Sequence, residues 1–260
     1  MECGIHNYSL VDQLQKDTMF TIAVTDNYEQ ASSEAFRIMR AVLDKEHPVL
    51  GLATGSSPIG LYKKMIADHN SRGTSYKDCV TFNLDEYIGL PKNHDQSYYT
   101  FMHENLFDHL DIPEENIHIP AGDADDEEEE CVRYEQLLKQ YTLDIQVLGI
   151  GSDGHIGFNE PGASFDSVTH ITALAEQTIK DNARFFEGKT DRVPAKAITM
   201  GLASIMRARK ILLIAVGANK ADAIYNMIKG PLSTDCPASI LQNHEDVTVI
   251  LDKEAASRLG

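Results

Sequence analysis

The chain has 260 residues, 42% of them hydrophobic, and a formal net charge of -17 at pH 7. This length and composition suit a globular α/β protein that folds as a single domain. The negative charge argues against binding nucleic acid through a general basic surface. It still allows a small anionic substrate, held by a few local cations and helix N-termini.

The cysteine pattern and the hydropathy favour a cytoplasmic protein without a membrane partner. The four cysteines, at positions 3, 79, 131 and 236, form no close pair. Such spacing indicates neither a zinc site nor a disulfide framework. No stretch is long and apolar enough to span a bilayer, and the polar N-terminus lacks the apolar core of a signal peptide.

Predicted strands and helices alternate along the whole chain. Short apolar runs predict strands at 21–24, 48–53, 79–84, 116–119, 144–148, 168–174, 197–200, 210–216 and 247–251. Caps and helical periodicity predict six helices. They lie after Asn27, from Pro58, over 97–110, from the acidic run 123–130 to 141, from the end of the strand at 168–174 to about 186, and over 218–228. The alternation predicts a single-domain, mostly parallel open sheet with helices on both faces, a Rossmann-like α/β fold.

The first candidate site follows the strand at 48–53. Thr54, Gly55, Ser56 and Ser57 join this strand to a helix with Pro58 near its first turn. Free amides at a helix start bind anions, and the serines add hydroxyl donors. The segment has neither the Gly-Lys-Ser/Thr of a Walker A loop nor the glycine spacing of a dinucleotide fingerprint. It predicts either a phosphate site or a helix cap without a ligand.

Two adjacent acids, Asp85 and Glu86, follow the strand at 79–84. A carboxylate at the end of a strand can take a proton from a carbon next to a carbonyl. Acids in this position also serve as turn or cap residues, so both interpretations are open.

Asp153, His155 and Glu160 lie among glycines just after the strand at 144–148. The two acids are close enough in sequence to orient the imidazole. The alternative is a glycine-rich turn with a solvated Asp and a capping Glu. One His beside carboxylates is a weak metal signal, so no metal is predicted. Because parallel strands end at one edge of a sheet, all three segments are expected to share one crevice.

Six segments carry a specific pattern: LATGSSP at 52–58, TFNLDEYIGL at 81–90, SYYTFM at 97–102, LGIGSDGHIGFNEPG at 148–162, NARFF at 182–186 and VPAKAITMG at 193–201. Together they resemble the glucosamine-6-phosphate deaminase (glucosamine-6-phosphate isomerase) family. The related 6-phosphogluconolactonases share the Asp-Gly-His element but lack the Phe-Asn-Glu-Pro that follows. The resemblance implies an enzyme of amino-sugar catabolism, including N-acetylglucosamine degradation. It would convert glucosamine 6-phosphate and water to fructose 6-phosphate and ammonia without a cofactor.

The resemblance also implies a role for each candidate residue. Asp85 resembles the base that moves a proton between carbon 2 and carbon 1 of the sugar. His155 resembles the group that opens the pyranose ring, with Asp153 and Glu160 as its partners. The phosphate-binding positions of the family correspond to Thr54, Gly55, Ser56, Ser57, Arg184 and Lys220.

The chain departs from the family in two places. Allosteric members carry serine and basic residues after the Asn-Glu-Pro motif, where this chain has Ala163, Ser164, His170 and Thr172. We therefore predict no strong activation by N-acetylglucosamine 6-phosphate. The similarity begins near Met19, so residues 1–18 are expected to be an extension of a catalytic domain over 19–260.

Two other functions stay open at this point: a 6-phosphogluconolactonase-like enzyme and a non-catalytic sugar-phosphate sensor. The intact acid–base set disfavours a sensor, as does the lack of room for a helix-turn-helix module outside the matched region. Related enzymes range from small assemblies to hexamers, so a homo-oligomer is one option. The segment 174–194 is a candidate lid.

Overall fold

The computed structural model describes residues 20–260, so the predicted extension at 1–18 lies outside the described residues. The strands are β1 (Phe20–Thr25), β2 (Val49–Leu52), β3 (Val80–Asn83), β4 (Asp85–Tyr87), β5 (Ile117–His118), β6 (Ile145–Leu148), β7 (His170–Ala173), β8 (Lys196–Thr199), β9 (Ile211–Ala215) and β10 (Val247–Asp252). The helices are α1 (Tyr28–Leu43), α2 (Ile59–Arg72), α3 (Tyr98–Asn105), α4 (Glu127–Leu138), α5 (Glu176–Asn182), α6 (Leu202–Ile205) and α7 (Ala221–Lys229).

The larger sheet has seven strands in the order β1-β10-β9-β6-β2-β3-β5, and all of its pairings are parallel. From β2 the chain runs outward through β3 to β5, and from β6 it runs outward the other way through β9 to β10. The strand order therefore reverses between β2 and β6. Open α/β sheets bind ligands outside the carboxyl ends of the strands at such a reversal.

Helices cover both faces of this sheet, which confirms the predicted fold class. Successive residues of a strand point to opposite faces, so Leu212 and Leu213 of β9 enter two different hydrophobic clusters. Leu212 packs in one cluster with Met39 of α1, and the same cluster includes residues of α2 and α3. Leu213 packs in the other with Tyr134 of α4 and Ile224 of α7.

A second sheet of three antiparallel strands, in the order β4-β8-β7, was not predicted. It includes Asp85–Tyr87, so these residues form a strand of their own and the interpretation as a turn after the strand at 79–84 does not apply. The chain changes sheets at Leu84, whose N–H donates to Leu52 O while its carbonyl accepts from Met200 N. A three-residue strand is too short to show a sequence period.

The predicted cap at Asn27 is confirmed, and Asp126 in the acidic run caps α4. The side chain of Asn27 accepts a hydrogen bond from Gln30 N, and that of Asp126 accepts from Glu128 N and Glu129 N. The acidic run at 123–130 thus leads into a helix, as expected.

Three predicted helices are shorter than expected because their ends tighten into 3-10 turns. These turns lie at Phe107–His109 after α3, Ala183–Phe185 after α5 and Ala218–Lys220 before α7. The four-residue helix α6 was not predicted.

None of the helices in residues 20–260 combines the length and the apolar character needed to cross a membrane. Cys79, Cys131 and Cys236 are buried free thiols. This agrees with the prediction that the cysteines form no disulfide framework, as far as the described residues show.

Gly201, between β8 and α6, lies against the backbone of the segment that precedes β7. A Cβ atom there would lie 2.2 Å from the carbonyl oxygen of Ser167 and 2.3 Å from that of Val168, both of them backbone atoms. We expect Gly201→Ala to lower the free energy of unfolding by about 1–3 kcal/mol, because the backbone must shift to relieve the overlap. Urea denaturation measures this change.

Gly149→Ala is the matched control, since its Cβ would approach no atom closer than 3.7 Å. Equal urea midpoints for the two variants would contradict the expected overlap at Gly201.

Candidate active site

A cavity of about 790 Å³ lies at the carboxyl ends of β2 and β6, where the strand order reverses. The predicted residues on its wall are Thr54, Gly55, Ser56, Ser57, Asp85, His155, Arg184 and Lys220. Asp153 and Glu160 lie beside the ring of His155. The structure therefore brings all the predicted site residues into one region, as the common sheet edge implied.

One wall of the cavity is the loop Thr54–Ser57 between β2 and α2. The N-cap residue of α2, Pro58, makes no side-chain hydrogen bond, so in the described part of the chain first-turn N–H groups other than that of Gly60 are left for a ligand. The hydroxyl of Tyr28 lies 2.8 Å from Ser56 O and accepts a hydrogen bond of 2.7 Å from Gly60 N. Tyr28 thus ties the end of the loop to the start of α2, and sequence reasoning missed it because it lies far away on α1.

Two cations, Arg184 and Lys220, face the same cavity. The loop before Lys220 is fixed by Asp252, whose two carboxylate oxygens both accept from Gly217 N at 3.0 Å. Burial lowers the pKa of Lys220, and the nearby positive charge of Arg184 lowers it further. Nearby carboxylates, Asp181 among them, act in the opposite direction. A bound anion would compensate the buried positive charge.

Asp85 stands at the start of β4, is only 5% exposed, and lines the cavity. Burial raises the pKa of its carboxyl to about 8, and the negative charge of Glu86 adds to this effect. A carboxylate with such a pKa is a stronger base than an ordinary aspartate, which suits proton abstraction near neutral pH.

Glu86 has a different position and a different role. Its carboxylate accepts hydrogen bonds of 2.8 Å from the backbone N–H groups of Tyr87, Tyr98 and Tyr99. Burial raises the pKa of Glu86 to about 7 although these bonds oppose the shift. Glu86 thus caps the start of α3 and holds Tyr98 against the cavity. The two adjacent acids therefore have different positions. Glu86 is a cap residue, whereas Asp85 lines the cavity, where a proton-accepting carboxylate would be needed.

His155 lies between two carboxylates. Its Nδ1 is 2.7 Å from Asp153 Oδ1 and 3.5 Å from Glu160 Oε2, although neither contact has a well-aligned hydrogen bond. Burial tends to raise the pKa of Asp153, but contacts with His155 outweigh this and lower it. With Nδ1 facing these carboxylates, Nε2 is the ring nitrogen available to a ligand.

Gly151 leaves the space that the imidazole of His155 occupies. A Cβ at this position would lie 2.3 Å from both Cε1 and Nδ1 of the ring. The glycine framing noted in the sequence therefore has a steric cause.

The remaining wall comes from α5 and the turn after it. Gln177, Thr178, Asp181 and Asn182 line the cavity, and none of them was predicted as a site residue. Their helix has only seven residues and gives no chemical motif in the sequence. This wall falls within the expected lid at 174–194, whose movement stays a prediction.

A metal ion is the other ligand that the histidine cluster could hold. One ligand atom from each of Asp153, His155 and Glu160 lies within 4.8 Å of the others. The same arrangement also suits proton transfer, in which two carboxylates orient an imidazole and stabilise its charged form. The expectation of no metal stays a prediction.

Three kinds of comparison relate the chain to known proteins. A family model described as glucosamine-6-phosphate isomerases/6-phosphogluconolactonase matches residues 24–250. Glucosamine-6-phosphate deaminases of Thermoanaerobacter sp. (strain X514) and Clostridium botulinum (strain Alaska E43 / Type E3) are each 52% identical to it. These alignments cover 91% and 92% of this chain, and 94% and 96% of the two relatives.

Solved structures agree with this grouping. A monomeric glucosamine-6-phosphate deaminase is 46% identical and superimposes with a TM-score of 0.89, over 91% of this chain and 98% of that one. The 6-phosphogluconolactonase of Trypanosoma brucei superimposes with a TM-score of 0.76 at 21% identity, over 94% of this chain and 100% of the other. The second likeness concerns the fold alone.

The buried Asp85 carboxyl gives a pH-dependent stability. Its pKa is about 8 in the fold and about 3.9 in an unfolded chain, so between these values the folded state holds a proton that the unfolded state has lost. Stability is therefore lost as the pH rises through this window. We expect the free energy of unfolding of Asp85→Asn to exceed that of the parent at pH 8 by an amount on the order of a few kcal/mol. At pH 5 this difference between the variant and the parent should be smaller.

Urea denaturation at pH 5, 6.5 and 8 measures this trend. Asp78→Asn, at an exposed aspartate, is the control and should show no such dependence. A difference between Asp85→Asn and the parent that stays constant with pH would contradict the assignment.

Proposed function

We propose that the chain, which belongs to the family of glucosamine-6-phosphate isomerases and 6-phosphogluconolactonases, is a glucosamine-6-phosphate deaminase. Such an enzyme converts glucosamine 6-phosphate and water to fructose 6-phosphate and ammonia. Deaminases from two bacterial genera are 52% identical over nearly the whole chain. The reaction serves amino-sugar catabolism.

The observation that carries this proposal is the presence of two separate acid–base groups in one cavity. His155 with its carboxylates forms one group, and the buried Asp85 forms the other. An aldose in its ring form has no acidic hydrogen at carbon 2, so the ring must open before that hydrogen can be removed. Two proton transfers at different atoms therefore need two groups.

His155 is suited to the first step. Its free ring nitrogen takes the proton of the carbon 1 hydroxyl and returns a proton to the ring oxygen, so the ring bond breaks and an aldehyde forms. Asp153 and Glu160 orient the imidazole and stabilise its positive charge while it holds the proton.

Asp85 is suited to the second step. Its carboxylate removes the proton from carbon 2 while oxygen 1 of the aldehyde gains a proton and the substrate ammonium loses one, which gives an enolamine. Asp85 then delivers its proton to carbon 1, and the carbon–nitrogen bond becomes a protonated imine. Water then adds to carbon 2 and ammonia leaves, which yields the ketose. All these changes are proton transfers and additions of water, so the reaction needs no redox cofactor.

The phosphate of the substrate fits the part of the cavity that the loop Thr54–Ser57, Arg184 and Lys220 line. Binding the phosphate there holds the substrate with carbons 1 and 2 at the acid–base groups and supplies positioning energy. Arg184 is also placed on the ring of Phe185, 4.7 Å from its centroid.

A 6-phosphogluconolactonase-like activity is the alternative within the family. Hydrolysis of a lactone removes no proton from carbon, so it gives no purpose to a buried base such as Asp85. A sugar-phosphate sensor likewise has no use for two acid–base groups.

The other expectations concern the surroundings of the enzyme. The net charge of -17 is unsuited to nucleic acid. We propose the cytoplasm as its compartment, because reducing conditions keep the buried thiols free. A homo-oligomer stays a prediction, and the similar solved structure is described as a monomer.

Ammonia release is the direct test of the proposed function. The enzyme should release ammonia from glucosamine 6-phosphate and should not hydrolyse 6-phosphogluconolactone. Asp85→Asn should lower the turnover by a factor of about 10²–10⁴, because the carbon acid loses its base. It should still bind an amino alditol 6-phosphate, an open-chain analogue of the substrate. Normal ammonia release by this variant would overturn the role of Asp85.

The positions that differ from allosteric relatives give a second prediction. Ala163, Ser164, His170 and Thr172 include no lysine or arginine to bind an activator phosphate. Adding N-acetylglucosamine 6-phosphate should leave the dependence of rate on substrate concentration hyperbolic and unchanged. A sigmoidal curve that this compound makes hyperbolic would contradict the prediction.

A further inference from the structure

The two carboxylate oxygens of Glu160 have different surroundings. Oε1 accepts a hydrogen bond of 2.6 Å from the hydroxyl of Thr178 and one of 3.3 Å from Ala175 N. Oε2 is buried without a hydrogen-bond partner among the described residues and lies 3.5 Å from His155 Nδ1. The donors at the start of α5 therefore occupy one oxygen and leave the other for the imidazole.

Thr178 is built into the structure in a way that suits this task. It is only 4% exposed and lines the cavity beside the histidine cluster. A hydroxyl that donates to an ionised carboxylate forms a short, strong hydrogen bond. Its β-branched side chain is also stiff within a helix, so the direction of the hydroxyl is well defined.

We propose that Thr178 is a positioning residue for ring opening, which orients Glu160 so that Oε2 faces His155. The inference rests on the proposed function and deepens it, because Thr178 acts through Glu160 and not on the sugar. The terminal torsion of a glutamate side chain is broad, so a carboxylate without this donor can rotate. Rotation would leave His155 without one of its two orienting carboxylates.

A purely structural role for Thr178 would have a different consequence. The segment that carries Thr178 also carries Arg184, which lines the cavity and which we propose to bind the phosphate. A second hydrogen bond, from Asn182 Nδ2 to the Tyr87 hydroxyl at 2.8 Å, also ties α5 to the body of the protein. If Thr178 served only to hold this segment, its loss would weaken phosphate binding. If it positions Glu160, its loss slows ring opening and leaves binding intact.

The experiment compares Thr178→Val, which removes the hydroxyl at nearly constant shape, with Thr178→Ser, which keeps it. The readouts are kcat and KM for ammonia release, and the inhibition constant of 2-amino-2-deoxyglucitol 6-phosphate. This alditol has no ring to open, so its affinity reports binding alone. We expect Thr178→Val to lower kcat by about 10- to 100-fold, since a buried carboxylate loses a charged hydrogen bond. The inhibition constant should change less than about twofold, and Thr178→Ser should restore most of kcat.

Two results would overturn the inference. One is an unchanged kcat in Thr178→Val, and the other is a parallel rise of KM and the inhibition constant with kcat preserved. Thr178→Ala replaces the valine variant if thermal melting shows that valine is not accommodated. Lys180→Ala, at an exposed side chain of the same helix, is the control for general disturbance and should keep the parental kcat.

The parent enzyme separates this inference from the proposed function. No ammonia release by the parent would overturn the deaminase assignment, and the role of Thr178 with it. Ammonia release by the parent together with a fully active Thr178→Val would overturn the role of Thr178 alone.

Discussion

The rest of the site depends on one constraint, the burial of the Asp85 carboxyl next to another acid. In the described part of the chain Asp85 takes part in no ion pair, and Glu86 follows it in the same strand. Both the loss of water and the adjacent negative charge disfavour the ionised form, so the pKa rises to about 8. A group that costs stability in this way is one that a fold keeps for chemistry.

The position of Asp85 depends on how the chain passes from the large sheet to the small one. The chain leaves the large sheet at Leu84 and enters the small sheet at Asp85, whose buried side chain lines the cavity. Glu86 points elsewhere and binds the amides at the start of α3, which makes a second buried acid tolerable. A simple doubly wound fold has no such second sheet. Here the second sheet begins just after the end of β3, at β4, and keeps the Asp85 carboxyl buried.

The cationic part of the cavity meets a different electrostatic requirement. A protein of net charge -17 must attract a sugar phosphate, and it does so with local groups. The loop Thr54–Ser57, Arg184 and Lys220 line this part of the cavity. The partial burial of Lys220 and the nearby charge of Arg184 lower the pKa of Lys220. Remote residues keep this wall in order, since Tyr28 fixes the loop after β2 and Asp252 fixes the loop before Lys220. The anionic and the cationic parts of the site are thus built by separate elements that meet only in the fold.

The sequence by itself determined the alternation of strands and helices, the parallel sheet, the cap at Asn27, the acidic start of α4, and the group of candidate residues. These features are local, because periodicity, caps and glycine-framed motifs depend on neighbouring residues.

Only the tertiary structure decided that Asp85 begins a strand of a second sheet and that Glu86 caps a helix. It also decided that Thr178 donates to Glu160, and that Tyr28 and Asp252 fix the binding loops. The pair Asp153 and His155 required sequence and tertiary structure together. The glycine-framed motif indicated the two residues, and the fold showed the 2.7 Å contact between them. The physical reason is that burial, charge proximity and hydrogen bonds between distant segments depend on the path of the chain in space, which no local pattern records.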